Sequence, residues 1–218
     1  MFGRIMLPAV LLLSAVVTGQ PAGTSTGEPG PVDRPVRTTG CGKTPPAPAG
    51  TPATRTIVSG GLTCKSNGGG FAGVLACRLS GRIAASAQVS GAFYPQGGVC
   101  EPRRPIPVLE IHGSADTTIP YDGSTAKSLP PIPSWLAGWA ARNRCAGGPV
   151  TSTPVTTVTR HVWRRCAAAV EHYRIDGLGH DWPSTTPNPD SDVPSVLDAT
   201  PLIWKFFLRH RLPIHHGH

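Results

Sequence analysis

The sequence contains no Cys-x-x-Cys pair, no phosphate-cradling glycine loop, no dinucleotide fingerprint and no internal repeat. These absences argue against zinc ribbons, thiol–disulfide redox enzymes, nucleotide-dependent enzymes and solenoids. Acidic residues are also scarce, 12 against 20 lysines and arginines, which leaves a net charge of +8. Such an excess suits contact with anionic surfaces or polymers, or simply a basic solvated face. The arginines are scattered and not interleaved with aromatics, so a nucleic-acid partner is not expected.

What is present begins with "MFGRIMLPAVLLLSAVVTGQPA", in which Arg4 precedes an apolar run followed by small residues. Residues 1–20 read as a secretory signal peptide, too short to span a bilayer, with an uncleaved N-terminal anchor as the alternative. The reading implies a secreted, extracellular protein with no stable membrane insertion after cleavage. Residues 21–40 are rich in Pro, Gly and Thr and read as a flexible linker. Residues 41–212 hold enough chain for one core. The tail, 213–218, carries "HHGH" at His215–His218, a frayed end more than a metal site, and no metal is expected.

Six cysteines behind an export signal favour disulfides: Cys41, Cys64, Cys77, Cys100, Cys145 and Cys166. Cys77 with Cys100, and Cys145 with Cys166, are plausible pairs because each closes a loop of about 20 residues. Sequence alone leaves the connectivity open.

The apolar pattern predicts alternating elements. "TRTIV" is a candidate strand ended by Gly60 and Gly61. Phe71, Val74, Leu75, Cys77 and Leu79 stand close to helical spacing, and Ala84–Phe93 and Pro105–Gly113 fit buried strands. Trp135, Leu136 and Trp139 mark a second helix that Ser134 is placed to cap. "TSTPVTTVTRHVW" reads as a strand or an exposed hairpin arm, and "AAVEHYRIDGLGH" as a strand ending at Gly177. The last helix has Pro201 in its first turn and Leu202, Ile203, Phe206 and Phe207 on one face. Helices joining buried strands predict an α/β fold with a mostly parallel sheet.

Three polar residues follow candidate strands: Ser66 in "CKSNGGG", Asp116 in "IHGSADTTIPY" and His180 in "GLGHDWP". Their order, Ser then Asp then His, is that of the α/β-hydrolase triad. A serine hydroxyl is a weak nucleophile until a histidine takes its proton, and a carboxylate fixes the imidazole tautomer and stabilises the imidazolium. Glycines beside the serine allow helix and strand to approach closely.

The segments "SNGGGFAGVLACRLSGRIAASAQVSGAFYP", "PVLEIHGSADTTIPY" and "GLGHDWP" resemble the secreted polyhydroxybutyrate depolymerase and feruloyl esterase-like branch of the α/β-hydrolases. The resemblance implies an ester hydrolase that needs no cofactor and acts on a polyester or an acylated polysaccharide. It carries the nucleophile to Ser66, the acid to Asp116 and the base to His180. It also implies an oxyanion N–H from Asn67 and, from the Trp-Pro pair, a substrate-cleft role for Trp182, whose alternative is a core aromatic. Two departures stand out. Cys64 occupies the place of the elbow's first glycine. Only Ser59 to Lys65 separates "TRTIV" from Ser66, where the family has its first strands and a second oxyanion loop. The sheet is therefore expected to be incomplete at its N-terminal strands, by an internal deletion. The alternative function is a truncated, catalytically impaired derivative that keeps at most surface or polymer binding.

Overall fold

Small buried residues decide how the layers of this chain pack. The computed structural model describes residues 60–191 and 193–212, so the signal, the linker, the "TRTIV" strand and the His-rich tail lie outside the described residues. The elements are β1 (Gly61–Lys65), α1 (Ser66–Arg78), β2 (Ala85–Val89), β3 (Val108–Gly113), α2 (Ile132–Arg142), β4 (Pro149–Val155), β5 (Val158–Trp163), β6 (Val170–Ile175) and α3 (Ala199–Arg209). They build one six-stranded sheet in the order β1-β2-β3-β6-β5-β4. β1, β2, β3 and β6 run parallel. The Thr- and Val-rich stretch is a hairpin, and β4 and β5 join antiparallel, so the sheet is mixed, with three parallel and two antiparallel pairings among the described residues.

Period-two alternation splits the core between the two faces of the sheet. Val108 and Val170 face α1 and α2 together with Leu62, Ala72, Ala76, Leu136 and Trp139. Leu109, Ile111, Tyr173 and Ile175 face α3 and its Ile203, Phe206 and Phe207. The apolar face predicted for the last helix is thus the one it buries. Among the described residues no helix is long and apolar enough to cross a membrane.

Two local expectations are corrected. The helix after Ser66 exists, but Phe71 is 61% exposed and Leu79 38%, while Gly69, Gly70, Ala72, Gly73, Ala76 and Cys77 face inward. Close approach explains the inversion: a Cβ on Gly70 would stand 1.8 Å from the Ala92 carbonyl oxygen. The helix packs by its backbone, so its bulky residues are turned outward. Ser134 does not cap α2, whose N-cap is Pro131 with no side-chain hydrogen bond. Proline at the start fixes the backbone without an N–H to satisfy.

Both predicted disulfides are present. Cys77–Cys100 ties α1 to the segment after β2, and Cys145–Cys166 ties the end of α2 to the segment before β6. Cys64 is also disulfide-bonded.

Candidate active site

Parallel strands carry their C-terminal ends to one edge of the sheet, and there the three predicted residues lie. Ser66 follows β1, Asp116 follows β3 and His180 follows β6. Ser66 has φ 58°, a left-handed conformation that costs a non-glycine residue about 1–3 kcal/mol and persists only where the surroundings impose it. Its carbonyl accepts from Ala92 N–H at 3.0 Å, so the β1–α1 turn is held by the segment after β2. Asn67, exposed in the first turn of α1, sits where helical N–H groups have no intrahelical acceptor.

Asp116 and His180 are brought into direct contact. His180 Nδ1 stands 2.8 Å from Asp116 Oδ2. The loop geometry behind this contact is specific. Ala115 N–H donates to the Leu178 carbonyl at 2.9 Å, Ser114 N–H to the Ile175 carbonyl at 2.9 Å, and Gly177 N–H to Ser114 Oγ at 3.0 Å. Gly113 permits the crossing, since a Cβ there would stand 2.1 Å from the Leu178 oxygen. The other carboxylate oxygen, Asp116 Oδ1, accepts the Thr118 and Ile119 N–H groups at 2.9 and 2.8 Å. Burial alone would raise the Asp116 pKa, but hydrogen bonds from His112, His180 and Ile119 hold it well below the ordinary carboxylate range.

The structure does not join Ser66 to that pair. Among the described residues the Ser66 hydroxyl makes no hydrogen bond. Such contacts are often long in unliganded hydrolases and tighten with substrate.

The known proteins similar to the chain include two esterases. It is 30% identical over 125 residues, 53% of its length, to feruloyl esterase B from Piromyces equi, and spans 23% of that protein. Acetyl xylan esterase from Aspergillus awamori is 16% identical with a TM-score of 0.48, over 70% of this chain and 60% of that one. No family model matches the chain.

Beside the β1–α1 turn lies a cleft of about 560 Å³, lined by Asn67, Phe71, Phe93, Tyr94, Trp135 and Arg142 among others. Phe93 and Trp135 stack with ring centroids 3.6 Å apart. The outer wall, around Gly97 to Cys100, is stapled by Cys77–Cys100 and by bonds from Arg78 to the Gly97 carbonyl and Arg142 to the Cys100 carbonyl. Trp182 is not part of this lining. Its ring packs against the α3-side core, and its indole N–H donates to Thr200 Oγ1 at 3.1 Å.

Residue reading missed one group altogether. His112 lies inside β3 and is fully buried, as is Glu110. Alternation puts both on the α2-facing side of the sheet with His172 of β6. The available signal was a glutamate and a histidine in an otherwise apolar run, because buried charges demand partners.

Proposed function

We propose that the chain is an exported serine carboxylic-ester hydrolase, acting on a polyester or on acyl groups of a polysaccharide. Ser66 Oγ attacks the ester carbonyl carbon as His180 Nε2 takes its proton. His180 then protonates the departing alcohol oxygen, leaving an acyl-serine. Water attacks that ester through the same histidine and restores the hydroxyl. Asp116 orients the ring and stabilises the imidazolium, and the Asn67 N–H supplies part of the oxyanion site. The observation that carries the reading is the 2.8 Å Asp116–His180 contact on the sheet edge that also holds a serine at φ 58°. The 30% identity to feruloyl esterase B supports the ester class. The purified full chain is expected to hydrolyse a short-chain p-nitrophenyl ester, and Ser66→Ala to abolish turnover. Rates equal to a buffer blank from folded protein overturn the reading.

A second reading, an impaired derivative lacking an internal segment before Ser66, is favoured by two observations. β1 is an outermost strand among the described residues, and the Ser66 hydroxyl has no hydrogen bond there. Lacking one oxyanion donor costs about 10²–10³ in rate. Rapid labelling of Ser66 by a fluorophosphonate argues against impairment, and absence of labelling argues for it.

A further inference from the structure

The polar groups behind Asp116 form a buried cluster in which each ring nitrogen of His112 meets an oxygen. His112 Nδ1 stands 2.8 Å from Glu110 Oε1. His112 Nε2 stands 2.8 Å from the Ile119 carbonyl oxygen and 3.3 Å from Asp116 Oδ2. Both ring nitrogens therefore face acceptors only. A neutral imidazole has one N–H and one bare nitrogen, which here would point a lone pair at an oxygen; only the imidazolium donates on both sides.

The neighbouring groups agree with that assignment. His172 Nδ1 lies 2.8 Å from Glu110 Oε2, and His172 Nε2 lies 3.0 Å from the Tyr121 hydroxyl. A Tyr121 O–H donating to Nε2 leaves the His172 Nδ1–H for Glu110, where it donates to the backbone carbonyl at 3.1 Å and lies in ion-pair contact with Oε2, which has no hydrogen bond of its own. Asp116 accepts two backbone N–H groups on Oδ1 and the His180 Nδ1–H on Oδ2, while His112 Nε2, whose hydrogen bond goes to Ile119, stands 3.3 Å from Oδ2 as an ion-pair contact. Burial would lower the His112 pKa, but the Glu110 charge and the bonds to Asp116 and Ile119 raise it to about 10. Burial would raise the Glu110 pKa, and its two histidine partners hold it below the ordinary value. Other titratable or charged groups around the cluster are Tyr121, edge-on to His112 with centroids 5.9 Å apart, His161 stacked on His172, and Arg174 over the Tyr121 ring. The packed helix α2 has no titratable side chain before Arg142.

We propose that the buried Glu110–His112 pair is the positioning unit of the acid–base site: a charged His112, anchored to the Ile119 carbonyl, sets its cation 3.3 Å behind Asp116 Oδ2 while His180 engages the same oxygen from the front. Glu110 neutralises His112, so the cluster sets a cation beside Asp116 without adding net charge. Asp116 is left as the carboxylate that answers the imidazolium forming on His180. The role rests on the reading of Asp116 and His180 as a hydrolase pair.

The test has two arms. In the intact wild-type chain, ¹⁵N spectra of labelled histidine are expected to show His112 with protons on both ring nitrogens at neutral pH and up to about pH 9, well beyond the ordinary imidazole range. A bare ring nitrogen on His112 near pH 7.5 overturns the proposal, and this arm is decisive whether or not the protein hydrolyses esters. In the kinetic arm, His112→Gln keeps a side-chain amide donor but removes the cation. Removing a cation beside the pair makes its protonation easier, so the acid limb of the kcat/KM profile is expected to move to higher pH by about one unit. Activity at pH 7 is expected to fall about 10-fold, carried mainly by kcat. A folded variant with lowered activity and an unmoved acid limb assigns His112 a purely structural role and overturns the proposal. Absence of wild-type turnover strikes the hydrolase reading alone.

Discussion

The two halves of the candidate site are built differently. At the ends of β3 and β6, Asp116 accepts hydrogen bonds from His180, Thr118 and Ile119, over a buried layer of Glu110, His112 and His172. At the end of β1, Ser66 rides on a five-residue strand that, among the described residues, pairs only with β2, and its hydroxyl is unbonded there. The half proposed for acid–base chemistry is pre-organised by central strands. The half proposed to carry the nucleophile depends, among the described residues, on one neighbouring strand and on the tight packing of a glycine-rich helix. In such an arrangement, substitutions in the first half are expected to act through chemistry, and those in the second through geometry and stability.

The largest effect tests the first half. Asp116→Asn keeps the size of the side chain but replaces one acceptor oxygen by an amide donor, so His180 loses the partner that fixes its tautomer. Activity on a p-nitrophenyl ester is expected to fall by about 10⁴-fold. The same variant confronts the His112 Nε2–H with altered bonding, so Tm is expected to fall as well. An Asp116→Asn protein that retains more than a tenth of wild-type activity breaks the comparison, because the bonded half would then be structural only.

A smaller effect tests the second half. Gly70→Ala places a methyl within 1.8 Å of the Ala92 oxygen, and the neighbouring Ala92 N–H is what holds the Ser66 carbonyl. Backbone must move to accept it. Overpacking of this kind typically costs about 1–3 kcal/mol. Denaturant titration should register that loss, and activity should fall about 10²-fold because a displacement of the nucleophile by about 1 Å is enough for that. A stable but inactive Gly70→Ala chain sharpens the comparison by separating geometry from folding.

The contrast between halves also explains what could be read without coordinates. Ser66, Asp116 and His180 stood out because turn glycines and apolar runs mark where strands end, and parallel strands deliver those ends to one edge. The two disulfides were legible from loop length. The inward face of α1 was not, since hydrophobic spacing favoured Phe71 and Leu79, and only the approach of Gly70 to Ala92 shows why small residues are buried. The Glu110–His112 layer was missed for a related reason. A period-two pattern tells which residues share a face, but a buried charge becomes interpretable only once its partners from β6 and the Asp116 loop are in place.

The smallest expected effect concerns the link between the halves. Lys65, the last residue of β1, pairs with Asp190 at 2.5 Å, and Asp190 also accepts the Trp182 N–H two residues beyond His180. The pair therefore connects the strand that carries Ser66 to the loop that carries His180. It is partly exposed, with side chains at 18% and 35%, so its worth to global stability is small, about 0.5 kcal/mol. Lys65→Met keeps the aliphatic stem and removes the charge, leaving the Trp182 N–H bond to Asp190 available. Tm is expected to change little, while kcat/KM falls about three-fold and loses part of its salt dependence, because screening already weakens the pair in the wild type. If Lys65→Met lowers Tm as much as Gly70→Ala does, the connection is a stability element. A kinetic loss at unchanged Tm instead identifies it as the tether that keeps a loosely held nucleophile facing a rigid base.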